Sequence, residues 1–138
     1  MPILEIEIVL QPGEVLVSDL AQIAADRAAE IFGSPPGNTW VRLRFLPAGQ
    51  YAENGSLLPG GENPAIYPVF VTVLKAQLPE PQALQQELGS LTRVIAEVCA
   101  RPEENVHILY LPPGAGRVAF GGRLVTPPEN PQSHDPDG

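Results

Sequence analysis

Residues 2–10 (PILEIEIVL) alternate, with Leu4, Ile6, Ile8 and Leu10 on one face and Glu5 and Glu7 on the other, the pattern of a half-buried strand. Ser18 then stands where a helix N-cap belongs, with Asp19 in the first turn, where its charge suits the helix dipole. Leu20, Ile23, Ala24, Ala28 and Ile31 recur at helical spacing, and Gly33 followed by Pro35 and Pro36 stops the helix. TWVRLRFL (39–46) alternates again, Val41, Leu43 and Phe45 facing one way and Arg42 and Arg44 the other.

The same order then recurs. AIYPVFVTVLKA (65–76) is nearly all apolar, as a strand covered on both faces should be. Glu80 and Pro81 open a second helix, with Leu84, Leu88, Leu91, Ile95 and Val98 as its buried stripe, and NVHILYLPPG (105–114) supplies another strand. VRLRFLPAG (41–49) and VHILYLPPG (106–114) share Val, Leu, Pro and Gly at matching places, with Phe45 opposite Tyr110. EIFGSPPGN and EVCARPEEN line up upstream after a two-residue shift. The chain is therefore expected to be α+β, built from two βαβ repeats (about 2–47 and 65–114) that form a four-stranded sheet with two helices on one face. The other face is expected to remain rich in Val, Ile and Leu and to be covered by further copies of the chain. Residues 47–64 form a long loop, and RVAFGGRLV (117–125) a short strand or hairpin able to pair with a neighbour.

Composition bounds the function. The 138 residues suit one domain, expected over 1–126, and the Pro-rich stretch 127–138, with no aliphatic or aromatic side chain, is expected to be disordered. Eight basic against sixteen acidic residues give −8, the wrong sign for a general nucleic-acid or anionic-membrane binder. One cysteine, Cys99, on the second helix's stripe, excludes an intrachain disulfide and a Cys-based zinc site. With no secretion signal and no apolar run near a membrane span, the expected setting is the cytoplasm.

The chemistry begins at Met1-Pro2. Initiator methionine is normally removed before a small second residue, which would leave Pro2 as a secondary amine at the chain terminus. An α-amino group titrates below any lysine, and desolvation or nearby cations lower it further, so it can serve as a general base at neutral pH. Arg42 and Arg44 are two of only eight cations and sit two residues apart, suited to holding a carboxylate, although a solvated strand face is the commoner use. Lys75 closes an apolar strand, and His107 holds the repeat position of Arg42. Tyr51 in the long loop and Arg117 and Phe120 near the C-terminal strand are lesser candidates.

The leading proline, the duplicated βαβ, GSPPGNTWVRLRFLP, YPVFVTVLK and RPEENVHILYLPPGAGRVAFGG together resemble the tautomerase superfamily, from Pro2 to about Val125. The first and third segments are similar to the macrophage migration inhibitory factor group, and the second, with the arginine pair, to 5-carboxymethyl-2-hydroxymuconate isomerase. The resemblance implies a homotrimer whose sites are partly lined by a neighbouring chain, a small anionic substrate, and no metal or cofactor. Pro2 would be the catalytic acid/base, shuttling a proton in a keto–enol tautomerase or isomerase reaction on a 2-oxo acid or enol. Arg42, Arg44, Lys75 and His107 would be the substrate-binding residues. Departures from the family's pattern narrow the chemistry: Ser34 replaces a lysine, Leu109 an asparagine, and Ala76 and Leu78 the arginines of decarboxylase and dehalogenase members, while Asn38 aligns with the decarboxylase aspartate. The alternatives are a hydratase, dehalogenase or decarboxylase of a small unsaturated or oxo acid on the same site, or a non-catalytic trimeric binding protein. Hydration needs a carboxylate to activate water, and none stands at a matched position.

Overall fold

A computed structural model describes residues 2–55 and 67–127. Strand β1 (Ile3–Leu10) leads into helix α1 (Leu20–Phe32) and strand β2 (Trp40–Pro47); β3 (Val69–Leu74), α2 (Pro81–Cys99) and β4 (Val106–Tyr110) repeat the order. The strands lie in the order β2-β1-β3-β4. Each repeat pairs its own strands in parallel, and the two repeats join where β1 and β3 run antiparallel. This is the expected duplicated βαβ. The core lies between sheet and helices: Leu4, Ile6 and Ile8 of β1 and Val69, Val71 and Val73 of β3 are sealed by Leu20, Ala24 and Ala28 of α1 and Leu91, Ile95 and Cys99 of α2. Small residues on α1 let it approach the sheet closely, whereas α2 fills the same gap with Leu and Ile.

Several local expectations change. Helix α1 starts at Leu20 with Asp19, not Ser18, at the N-cap, and Asp19 makes no side-chain capping bond. Its end is as read: Gly33 takes the left-handed conformation (φ 65°), and its N–H and that of Ser34 satisfy the last carbonyls. Ala100 does the same for α2 at φ 55° despite its Cβ, held there by Arg101, whose N–H bonds Ala96 O and whose side chain is anchored in the core. On α2, Leu91, Ile95 and Cys99 are buried, and Leu84, Leu88 and Val98 are half-buried. The expected hairpin forms as β5 (Ala119–Phe120) and β6 (Arg123–Leu124) about Gly121-Gly122. Of the 47–64 loop, Ala48–Gln50 is a 3-10 turn; residues 56–64, and 128–138 of the tail, lie outside the described residues.

The outer sheet face is a correction. It is less rich in apolar residues than expected: β1 and β2 present Glu5, Glu7, Arg42 and Arg44 there beside Ile3 and Trp40, while β3 and β4 present Phe70, Leu74 and Leu109. The cause is register. Glu5 lies beside Arg42 and Glu7 beside Arg44 on parallel neighbours, so the polar halves of two alternating strands meet as ion pairs.

Candidate active site

The β1–β3 ladder runs Leu4↔Val73 and ends at Ile3↔Leu74, so Pro2 and Lys75 are the residues that follow its last pair on the two strands. Pro2 is buried, and its carbonyl accepts a hydrogen bond from the Trp40 N–H at 3.0 Å. Lys75 shares the helix-side parity of Val71 and Val73, so its stem runs under α2 rather than into solvent.

There it meets two partners. Lys75 Nζ donates to Glu87 Oε1 at 2.9 Å and sits 4.9 Å from the centre of the Phe32 ring at the end of α1. Glu87 Oε2 accepts from the Tyr110 hydroxyl, which β4 brings alongside Val73. The pair is shielded, with Lys75 and Glu87 side chains 18% and 12% exposed. Burial, then the Glu87 hydrogen bond and charge, push the Tyr110 phenol far above its ordinary value, so it stays a donor. A cation, a carboxylate and a neutral phenol thus form one chain, carried by the residue that follows the last β1–β3 pair.

A small apolar cleft of about 200 Å³ opens nearby, lined by Ile3, Gly37, Asn38, Trp40 and Phe120. Trp40 and Phe120 meet edge to face at 5.1 Å, so the C-terminal hairpin of the same chain forms one wall. Asn38 is therefore at this end of the sheet, as is Ser34 just beyond α1.

The other predicted residues lie elsewhere in the chain. Arg42 and Arg44 line a 220 Å³ groove on the outer face with Glu5, Glu7, Phe70 and Thr72, roughly 10 and 16 Å along the strands from Pro2. Arg42 donates to Glu5 at 2.6 Å; Arg44 reaches Glu7 only at 3.8 Å, and both arginines are well exposed. His107 is also on the outer face, exposed, its ring 5.5 Å from that of Phe70 across β3. Within one chain, Lys75 is thus the only one of the four beside Pro2. Tyr51 donates to Glu53, and burial followed by that carboxylate pushes its phenol up to about 12. Arg117 bonds the Pro112 and Pro113 carbonyls. Among the described residues, no group of three or more His, Cys, Asp or Glu could hold a metal, and no helix is long and apolar enough to cross a membrane.

Sequence reasoning missed Glu87, and with it the part played by Tyr110. The signal was present: Glu87 lies three residues after Leu84 and four before Leu91, so a carboxylate occupies the apolar stripe of α2. A carboxylate thus stands within two hydrogen bonds of the proline's neighbour, where none was expected. One of its oxygens already accepts from Lys75 and the other from Tyr110.

Comparison with solved structures supplies the frame for this site. Pt0534, solved after inactivation by 2-oxo-3-pentynoate, superposes with a TM-score of 0.67 and 20% identity over 89% of this chain and 96% of that one. A fused 4-OT wild type, an asymmetric trimer, gives 0.66 and 18% over 88% and 95%. The macrophage migration inhibitory factor of Trichinella spiralis gives 0.65 and 14% over 88% and 98%. No protein-family model and no curated protein matches the sequence. Identity is low throughout while the superposed length is nearly complete, so what is shared is the whole duplicated βαβ: the chain has the tautomerase-superfamily fold.

Proposed function

We propose that the protein is a cofactor-free keto–enol tautomerase or isomerase of small 2-oxo acids or enols, acting as a homotrimer with Pro2 as general acid/base. The observation that carries this reading is the β1–β3 register, by which Lys75 and a buried Pro2 follow the ladder's last pair. With Met1 removed, the Pro2 nitrogen takes the proton from carbon and returns it at the other end of the enol. Enolisation also needs an electrophile at oxygen, and the Lys75 ammonium is the cation within reach of that position. Its charge disfavours protonation of the amine, and burial adds to the effect.

Arg42, Arg44 and His107 stand too far along the outer face to serve their own proline, so in a trimer they belong to a neighbour's site. There the loosely held Arg44 is the readier carboxylate ligand, since its ion pair with Glu7 is long. The trimeric fused 4-OT of the same fold supports that assembly.

The test combines mass spectrometry of the purified protein with ketonisation assays on phenylenolpyruvate and 2-hydroxymuconate-type enols. Met1 is expected to be absent, and Pro2→Ala to slow ketonisation by about 10²–10⁴-fold. Retained Met1 would instead favour a non-catalytic trimer, and equal rates for the two proteins would remove Pro2 from the mechanism.

A further inference from the structure

The Lys75–Glu87–Tyr110 chain has a feature that a substrate-binding lysine alone does not require. A lysine reaching solvent from a strand end needs no buried partner, yet Glu87 is turned inward on the apolar stripe of α2, and both its oxygens are used. Each bond comes from a different element: Lys75 from the end of β3, Tyr110 from β4, with Phe32 of α1 closing the ammonium's fourth side. Lys75 is also held through its backbone, its carbonyl accepting from the Gly114 N–H at 2.8 Å. The arrangement holds the ammonium against Glu87 and the Phe32 ring.

We propose that Glu87 is a positioning residue for the tautomerase site: it fixes the Lys75 ammonium beside Pro2 and, by compensating that cation, sets how strongly the proline amine is depressed. The proposal rests on the functional reading above. Its electrostatic part depends on which charges face the Pro2–Lys75 corner. Within the chain, α2 supplies Glu87, β4 the uncharged Tyr110 and α1 the Phe32 ring, and in the proposed trimer a neighbour adds the cations Arg42 and Arg44 and His107. Glu5, the nearest acid on β1, points to the opposite face and is paired with Arg42. Arg117, beyond β4, is bonded to the Pro112 and Pro113 carbonyls. Glu87 is therefore the acid of this set that bears on Lys75 directly.

The sign follows. Glu87→Gln keeps the shape of the side chain but leaves Lys75 uncompensated, so the local field becomes more positive and the protonated amine is penalised further. In the full-length protein with ¹⁵N-labelled proline, the Pro2 amine is expected to titrate about 1 unit lower in Glu87→Gln than in wild type, and the acid limb of the kcat/KM profile to move with it. Glu87→Asp keeps the charge but shortens the reach, so the amine should titrate as in wild type. For both variants kcat is expected to fall about 10- to 100-fold with little change in KM, because a displaced electrophile is lost mainly in the transition state.

A merely structural Glu87 would leave the amine titration unmoved in Glu87→Gln, and that result overturns the proposal. Should Glu87→Gln fail to fold, Glu87→Asp decides: wild-type kcat there overturns it, and a reduced kcat at unchanged KM sustains it. A blocked Pro2, or full activity of Pro2→Ala, would remove the functional reading itself. A working proline whose titration ignores Glu87 would remove only the role given to Glu87.

Discussion

The two ends of the sheet are equivalent by the repeat and opposite in chemistry. Leu4 pairs with Val41 as Val69 pairs with Val106, which makes Leu10 the counterpart of Lys75 and Phe45 that of Tyr110. The left-handed residues Gly33 and Ala100 end both helices, which makes Leu20 the counterpart of Glu87. So the Lys–Glu–Tyr chain beside Pro2 is Leu, Leu and Phe at the other end. The residue after the helix reverses the contrast: Ser34 at the Pro2 end, Arg101 at the far end. Arg101 is buried and ties the strands together at that end. Its guanidinium donates to the carbonyls of Tyr67 and Val9 at 2.7 and 2.8 Å and to both oxygens of Glu14 at 2.7 and 2.8 Å. Tyr67, the counterpart of Pro2, is held mid-chain there. One scaffold has thus been filled at one end by a buried arginine–carboxylate clamp and at the other by a Lys–Glu–Tyr chain.

The largest expected effect breaks the stabilised end. Arg101→Met leaves Glu14 and the carbonyls of Val9, Tyr67, Cys99 and Ala100 without this donor, and should cost about 3–5 kcal/mol in denaturant unfolding. A loss under about 1 kcal/mol would mean the cluster is not what holds that end together. Replacing Arg101 and Glu14 together by Met and Leu should cost less than Arg101→Met alone, since no uncompensated charge remains.

Exchanging residues between the ends sharpens the contrast. Leu20→Glu puts a carboxylate among Leu10 and Phe45 with no donor at the counterpart positions, and is expected to cost about 3 kcal/mol. Glu87→Leu should cost only about 1 kcal/mol, because the Lys75 head, 18% exposed, can turn to water. Equal costs in thermal unfolding would show that the two ends tolerate charge alike.

A smaller effect concerns acid. Burial pushes the Glu14 carboxyl up, but the Arg101 hydrogen bonds, the Gln11 N–H and the Arg101 charge together outweigh it and hold the group below 4.5. A depressed carboxyl binds fewer protons folded than unfolded, so its contribution is present above 4.5 and is lost as pH falls through the folded value. Stability of the wild type should therefore decline more steeply below about pH 4.5 than that of the Arg101→Met, Glu14→Leu protein, as followed by urea titrations at stepped pH. The smallest effect is an absence of reaction. Burial pushes the Cys99 thiol up to about 12, with Arg101 lowering and Glu14 raising it only secondarily, so native protein should resist alkylation at pH 8 until it is unfolded.

Much of this was legible in the residues. The alternation at 4, 6, 8 and 10, the stop at Gly33-Ser34-Pro35, and the match of VRLRFLPAG to VHILYLPPG lead to a duplicated βαβ because strand and helix periods are local properties. Lys75 was legible as a candidate, through resemblance. The pairing of Arg42 with Glu5 was not, although both strands alternate, because a shift of one step in parallel register would have separated them. Glu87 was hidden for a related reason. On the helix alone it is a flaw in an apolar stripe, and only the packing of α2 over the ends of β3 and β4 supplies its two donors.

Sequence by itself determined the elements, their order, the repeat and the candidate proline, since each rests on patterns spanning one strand or helix. Only the tertiary structure decided which acid each cation meets and how closely. Ion pairs join residues 12, 37 or 87 positions apart, and the force between them depends on a distance that no single element sets.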